Sequence, residues 1–174
     1  METYRRIRET EDVDAVAENS GFLREVVEIA KDNLFIRQHD VAVEPGVVRR
    51  GYFTPLDGVG SLWDRAASGA ELTDKQQAQL WSLIAHEYVE AKLMEAGVPY
   101  KSSHADAWEE YEMSRVSPDH PSAHNTAPRS LQARMVDLLA HWDKLDIPRG
   151  DLRVAEDLPN LDEVVRLAKE GLGL

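Results

Sequence analysis

Three residues within five positions could act on one atom. They are His86, Glu87 and Glu90, in the run Ala85-His86-Glu87-Tyr88-Val89-Glu90. His86 and Glu90 stand at i and i+4, so on a helix their side chains can converge on one point. A neutral imidazole and a carboxylate placed this way can bind a divalent metal, with Glu87 between them as a base or an orienting group. The zinc-protease pattern His-Glu-x-x-His uses that geometry with its Glu as general base. Here Glu90 occupies the place of the second His, so the reaction of that class does not transfer. Two ligands from one helix need a third from elsewhere, and the candidates are His39, His104, His120 and His124. His124, followed by Asn125 and held between Pro121 and Pro128, is favoured over His120. His104 follows the helix by a short loop and could fold back toward Glu90.

Burial sharpens the case. On a helical wheel of about 100° per residue, Leu80, Leu83, Ile84, Ala91 and Met94 form an apolar stripe. Glu87 falls near its middle, with His86 and Glu90 on its flank. An unpaired buried carboxylate costs several kcal/mol or shifts its pKa until it is neutral. Glu87 must therefore have a partner, line a cavity or face a cation. Three readings stay open. One is a metal site of His86, Glu90 and His124, zinc first among divalent ions, with Glu87 polarising the attacking water. Another is metal-free catalysis, with Glu87 or Glu90 as base and His124 as acid. The last is a hydrogen-bonded cluster that only ties helices together. His39, beside Asp40 at the end of an apolar stretch, is a further acid/base or ligand candidate. Neighbouring residues on an extended segment point to opposite sides, so His39 and Asp40 do not serve one atom. His141, beside Trp142 on an amphipathic stretch, reads as packing.

The elements that must position these groups are mainly helical. Thr73-Asp74-Lys75-Gln76 has the form of a capping box, and Gly97 and Pro99 end what it opens. The spacing predicts a long central helix over about 73–96. Before it come a short helix from about Val13, an Asn19-Ser20-Gly21 break and a second helix from Gly21 to about Asn33. Leu34-Phe35-Ile36 and Val41-Ala42-Val43 are β-prone runs, and Glu44-Pro45-Gly46 is a turn signal before Val47-Val48. A small β-hairpin or extended segment is therefore expected near residues 34–53. Leu62 to Ala67 suggests a short helix stopped by Gly69, and Ala105 to about Met113 another. Prolines and turn formers make 117–128 a Pro/His loop. Leu131–Trp142 has amphipathic spacing, and Leu161–Leu172 closes the chain as a helix. The expected architecture is a mainly α, compact, single-domain fold over 1–174.

Composition excludes several classes. The chain has 174 residues, no cysteine and a formal net charge of −12. There is thus no thiolate ligand, Cys nucleophile or disulfide, and any metal must be held by His, Asp and Glu. A negative overall field and scattered Arg and Lys disfavour nucleic acid on a broad surface, leaving room only for a small recessed site. No apolar run reaches the ~18 residues of a membrane span, and the N-terminus has no apolar secretory core, so a cytoplasmic protein is expected. Gly58-Val59-Gly60 lacks the rest of a phosphate loop, and no nucleophile elbow is present.

The run Ala85 to Tyr100, with Arg37-Gln38-His39-Asp40, Leu62-Trp63 and Ala123-His124-Asn125-Thr126-Ala127-Pro128, resembles an uncharacterised domain at the C-termini of bacterial Rhs-type polymorphic toxins. The similarity covers about residues 30 to 130. It implies a compact hydrolytic effector acting inside a competing cell, with an immunity protein as partner. The leading expectation is a small helical hydrolase acting on a small-molecule or protein substrate. The alternative is a non-catalytic, acidic, immunity-like module whose negative surface meets a basic protein partner. An enzyme requires a pocket where His86, Glu87 and Glu90 converge; a binding module would pack them dry.

Overall fold

The computed structural model describes residues 2–109, 115–154 and 159–174. Seven α-helices are described: α1 (Glu2–Glu9), α2 (Val13–Ser20), α3 (Arg24–Lys31), α4 (Asp57–Ala67), α5 (Asp74–Glu95), α6 (Ala123–Thr126) and α7 (Leu161–Gly171). Between α3 and α4 lies one antiparallel hairpin, β1 (His39–Glu44) and β2 (Val47–Gly51), turning through Pro45 and Gly46. The fold is mainly helical with a small hairpin, as the sequence predicts. No helix among the described residues is long and apolar enough to cross a membrane.

The central helix forms where its capping chemistry puts it. Thr73 Oγ1 accepts from the Gln76 amide while the Gln76 side chain accepts from the Thr73 amide, so two N–H groups orphaned by helix geometry are satisfied. At the other end Gly97 takes a positive φ of 96°, and the Val98 amide returns to Leu93 O at 3.1 Å. Residues 82–91 of α5 are buried without interruption. This helix is therefore not a surface element with one apolar stripe. It is the axis of the molecule, with α3, α4, α6 and α7 against it.

Around that axis the core is aromatic and aliphatic. Phe35 meets Tyr4 and Trp63 edge-on, at ring-centre distances of 4.8 and 5.1 Å. Helix α1, which no sequence pattern announces, delivers Tyr4 and Ile7 to this cluster. It lies close on α4 because Gly60 has no side chain: a Cβ there would sit 2.9 Å from Thr3 Cγ2. Gly60 thus serves helix packing. Asp12 and Lys31 form a buried ion pair at 2.7 Å, and the Trp63 indole N–H donates to Asp12, tying three helices together.

Three local expectations are corrected. Leu34-Phe35-Ile36 is not extended: α3 continues into a π-helical turn over Asp32–Ile36. The wide turn keeps the chain helical while burying Asn33, Leu34 and Phe35 together, and the β-branched character of Ile36 does not outweigh that burial. Leu131–Trp142 is not an amphipathic helix. Leu131 has φ of 56°, which breaks a right-handed helix, and only a 3₁₀ turn over Ala140–Lys144 forms. Finally, Ala105–Ala107 makes a single 3₁₀ turn, and positions 110–113 of that expected helix lie outside the described residues.

His141 sits in this core as packing. Its Nε2–H donates to Thr126 O, beside the Trp142 indole N–H on the same carbonyl, and burial pushes its pKa down to about 4. The unfolded chain, near 6.5, binds this proton more readily than the folded one. His141 is therefore without effect above about pH 6.5 and destabilising as pH falls from there toward 4. We expect His141→Gln to flatten this part of the stability profile by roughly 2–3 kcal/mol, measured by urea unfolding across that range. Parallel profiles for the two proteins would show that His141 is not buried neutral.

Candidate metal and acid–base site

The site is assembled from three elements that meet on one face of α5. Helix α5 presents His86, Glu87 and Glu90 within one turn. The π-helical turn presents Asn33, and the short α6 presents His124. Helix α6 begins because Ser122 Oγ accepts from the Asn125 amide. It is fixed beside α5 by backbone bonds to the chain leaving that helix, Ala123 N to Pro99 O and His124 N to Tyr100 O, at 2.8 and 3.1 Å. The Gly97-Val98-Pro99 turn and the Pro/His loop are thus one structure, which carries His124 back over Glu90.

The central contact is a triangle of ligand atoms. His86 Nε2 lies 3.2 Å from Glu90 Oε2 and 3.3 Å from His124 Nδ1, and His124 Nδ1 lies 2.9 Å from Glu90 Oε2. His86 Nδ1 is 2.6 Å from the Pro128 carbonyl. A carbonyl only accepts, so this nitrogen carries a proton; Nε2 then donates to Glu90 when the ring is charged and would offer its lone pair to the triangle when the ring is neutral. Zinc bonds of about 2.0 Å in a tetrahedron imply ligand atoms about 3.3 Å apart. His86, Glu90 and His124 are therefore geometrically able to hold a divalent ion.

Asn33 completes the cluster, although its place in the sequence suggests only the end of a helix. It is fully buried, and its Nδ2 donates both to Glu87 Oε2 at 2.8 Å and to Glu90 Oε1 at 2.9 Å. One amide group spans the two carboxylates. The signal for it is a polar residue against the apolar run Leu34-Phe35, which a helix end is enough to explain. His39 stands behind it. Its Nε2–H donates to the Asn33 carbonyl at 2.8 Å and its ring stacks on Phe53 at 4.3 Å, so it supports Asn33 and does not enter the triangle. Phe53 in turn meets Tyr100, and Tyr100 meets His124, so a row of rings runs from His39 to the site.

Electrostatics separate the two carboxylates. Burial opposes charge on both, but hydrogen bonds from His124 and His86 hold Glu90 far below the ordinary carboxylate range. Burial, and then the nearby charge of Glu90, push Glu87 up to about 8. Burial disfavours a charged His86, yet its hydrogen bond to Glu90 and the charges of Glu90 and Glu87 outweigh that and raise it to about 9. His124 is lowered, chiefly by burial. The protein without a metal thus carries an ionised Glu90, a protonated Glu87 and a charged His86. Two carboxyl groups with pKa values pushed apart can divide ligand and base roles.

His104 and His120 lie elsewhere. They stack on each other at 3.7 Å with rings 15° apart, beside Asp106. Their nitrogens are 3.6 and 4.0 Å from Asp106 Oδ2, and these three residues could also gather round an ion. The fit is poorer. Stacked rings hold their lone pairs in separate, near-parallel planes, and His104 Nδ1 already accepts from the Asp106 amide. His104 therefore does not fold back on Glu90.

A cavity of about 440 Å³ opens beside the triangle, lined by His86, Glu87, Glu90, His124, Tyr100 and Lys101 among others. In comparisons with known proteins, no family model, curated protein or solved structure matches the chain. The arrangement alone carries the reading that follows.

We expect Asn33→Ala to cost about 2–4 kcal/mol in urea unfolding, because it strips the shared donor from two buried carboxylates. The loss should couple to Glu90→Gln by at least about 1 kcal/mol in a double-mutant cycle. Strict additivity would mean that the amide bridge contributes nothing.

Proposed function

We propose that the protein is a small metal-dependent hydrolase in which His86, Glu90 and His124 hold a divalent ion, zinc by preference, and Glu87 is the general base. One observation carries this reading: two nitrogens and a carboxylate oxygen, brought from α5 and α6, stand 2.9–3.3 Å apart at the edge of a cavity. Two imidazoles and a carboxylate form a donor set typical of catalytic zinc, which keeps a further position open for water or substrate. Bound there, the ion would supply charge stabilisation and lower the pKa of water.

The chain's own residues do the rest. Pro128 holds the His86 tautomer through Nδ1–H, leaving Nε2 free to ligate. Asn33 keeps Glu87 and Glu90 in one orientation, so that Glu90 can ligate while Glu87 faces the cavity. Glu87 is held protonated by burial and by the charge of Glu90, and a cation bound beside it would oppose both and favour the form that can accept a proton from water. An effector-type hydrolase, as the motif resemblance implies, is compatible with this chemistry. The cavity also favours an enzyme over an acidic binding module, which would have packed the cluster dry.

Purified without chelators, the protein should bind about one equivalent of zinc, read by plasma mass spectrometry and titration. His86→Ala, Glu90→Ala and His124→Ala should each weaken binding by roughly 10²-fold or more. Glu87→Gln should keep the metal and lose at least about 10²-fold in hydrolytic rate. Zinc bound equally well by all three ligand variants would overturn the site.

A further inference from the structure

The rim of this cavity is the opposite of the protein's surface as a whole. The chain carries a net charge of −12, yet Arg49, Arg50 and Lys101 all line the space above Glu87 and Glu90. Lys101 is half-buried, and its ammonium lies 5.5 Å from the centre of the Tyr100 ring, which in turn packs on His124. Among the described residues, neither Lys101 nor Arg49 has a carboxylate within ion-pair distance, and Arg50 reaches only the exposed Asp40, at 3.3 Å. Three cations thus gather on one cavity of a protein with 32 acidic residues, and none of them is held there by a buried ion pair.

The space continues past the site. A second cavity of about 690 Å³ shares Tyr52, Phe53 and Thr54 with the first and adds Arg5 and Arg8. The Arg8 guanidinium lies 3.6 Å over the Tyr52 ring and its Nε–H donates to the Phe35 carbonyl, so it is held in place. Cations therefore flank an aromatic wall on both sides. Glu87 and Glu90 line the floor of the first cavity and Glu2 the second, so the cations are gathered at the rim, where they can draw an anion in even though the protein's overall field opposes it.

We propose that this cavity binds a small phosphate ester, its anionic oxygens held by Lys101 and Arg49 with Arg50 at the rim. Several cations around one point suit a tetrahedral group bearing several anionic oxygens, which Lys meets as a point charge and Arg as a fork. The aromatic wall of Tyr52, Phe53 and Tyr100 suits an organic leaving group. The turnover rests on the hydrolase reading above; the binding does not. In the reaction, the water oxygen forms a new bond to phosphorus and the bond from phosphorus to the leaving oxygen breaks. Glu87 accepts a proton from water and the leaving oxygen takes one up. The products are an alcohol and a phosphate, with no change of oxidation state and no reactant besides water.

The test is calorimetric titration of the full chain with phenyl phosphate, metal-free and zinc-loaded, with zinc content measured on the same samples. Saturable binding is expected, weakened about tenfold or more by Lys101→Met and several-fold by Arg49→Ala, an exposed position where misfolding is not a concern. Glu87→Gln should still bind phenyl phosphate saturably and lose at least about 10²-fold in its hydrolysis. Benzoate at equal ionic strength, and a single-stranded oligonucleotide, should both bind more weakly than phenyl phosphate. Binding unchanged in both Lys101→Met and Arg49→Ala would overturn the proposal even if zinc binds. Benzoate binding equally well would overturn the phosphate assignment, and a tighter oligonucleotide would overturn the small-ester assignment. Phenyl phosphate binding that depends on Lys101 in a chain that takes up no zinc would uphold the anion site while removing the metal reading.

Discussion

Two carboxylates on adjacent turns of one buried helix are the constraint around which this structure is organised. Glu90 is 1% exposed and Glu87 is 6% exposed, and both face the same point. Burying one ionised carboxylate costs several kcal/mol unless it is fully hydrogen-bonded, and burying a second beside it adds repulsion. The cost is met by specialising the pair. Glu90 takes a hydrogen bond from Asn33 on one oxygen and from two imidazoles on the other, and stays charged. Glu87 keeps one amide bond and, without a cation, a proton. Each neighbour serves this division: Asn33 because an amide gives two donors from one atom, and the histidines because each brings a ring nitrogen within hydrogen-bond reach of Glu90 Oε2.

That requirement explains local features that look irregular in isolation. Asn33 reaches the two glutamates from the π-helical turn that follows Lys31. The π-helical turn over Asp32–Ile36 widens the helix at this point, while Phe35 goes into the core. Helix α6 is too short to be stable by itself, so its position comes from the two backbone bonds to Pro99 and Tyr100 and from the ring row through Phe53. Pro128, just past α6, ends it and leaves its carbonyl for His86. The same few residues thus shape the loop and fix the protonation of the ring that faces the cavity.

Much of this is legible from residue types alone. The capping box at Thr73 and the Gly97-Val98-Pro99 stop bound the central helix, because caps are local chemistry that tertiary packing rarely overrides. The acidic residue amid an apolar pattern marks Glu87, and helical spacing joins it to His86 and Glu90. His124 is reachable from its place in a rigid loop. Asn33 is not: a polar residue just before Leu34-Phe35 reads as a helix end, and its bonds to Glu87 and Glu90 are long-range contacts that periodicity cannot reveal. Nor is the coil over 131–139, whose apolar spacing imitates a helix although each side chain is placed by a different contact. Asp137, on the polar side of the expected helix, pairs with Arg149 and accepts from the Leu139 amide. His104 misleads for a related reason. A short loop allows a return to Glu90, but stacking with His120 directs it elsewhere.

The remaining choice is between a cluster that stabilises and a cluster that works, and the cavity bears on it. A purely structural polar network gains most when every polar atom is satisfied and solvent is excluded. This one leaves Asn33 Oδ1 without a hydrogen-bond partner among the described residues and places Glu87 against open space. It also sets His124, about a third exposed in its side chain, between the buried glutamate and the cavity. Replacement of the whole cluster by apolar side chains would remove these costs and keep the helices together. Two carboxylates and two imidazoles thus stand at the edge of an accessible, cation-rimmed recess and carry costs that a purely structural network would avoid.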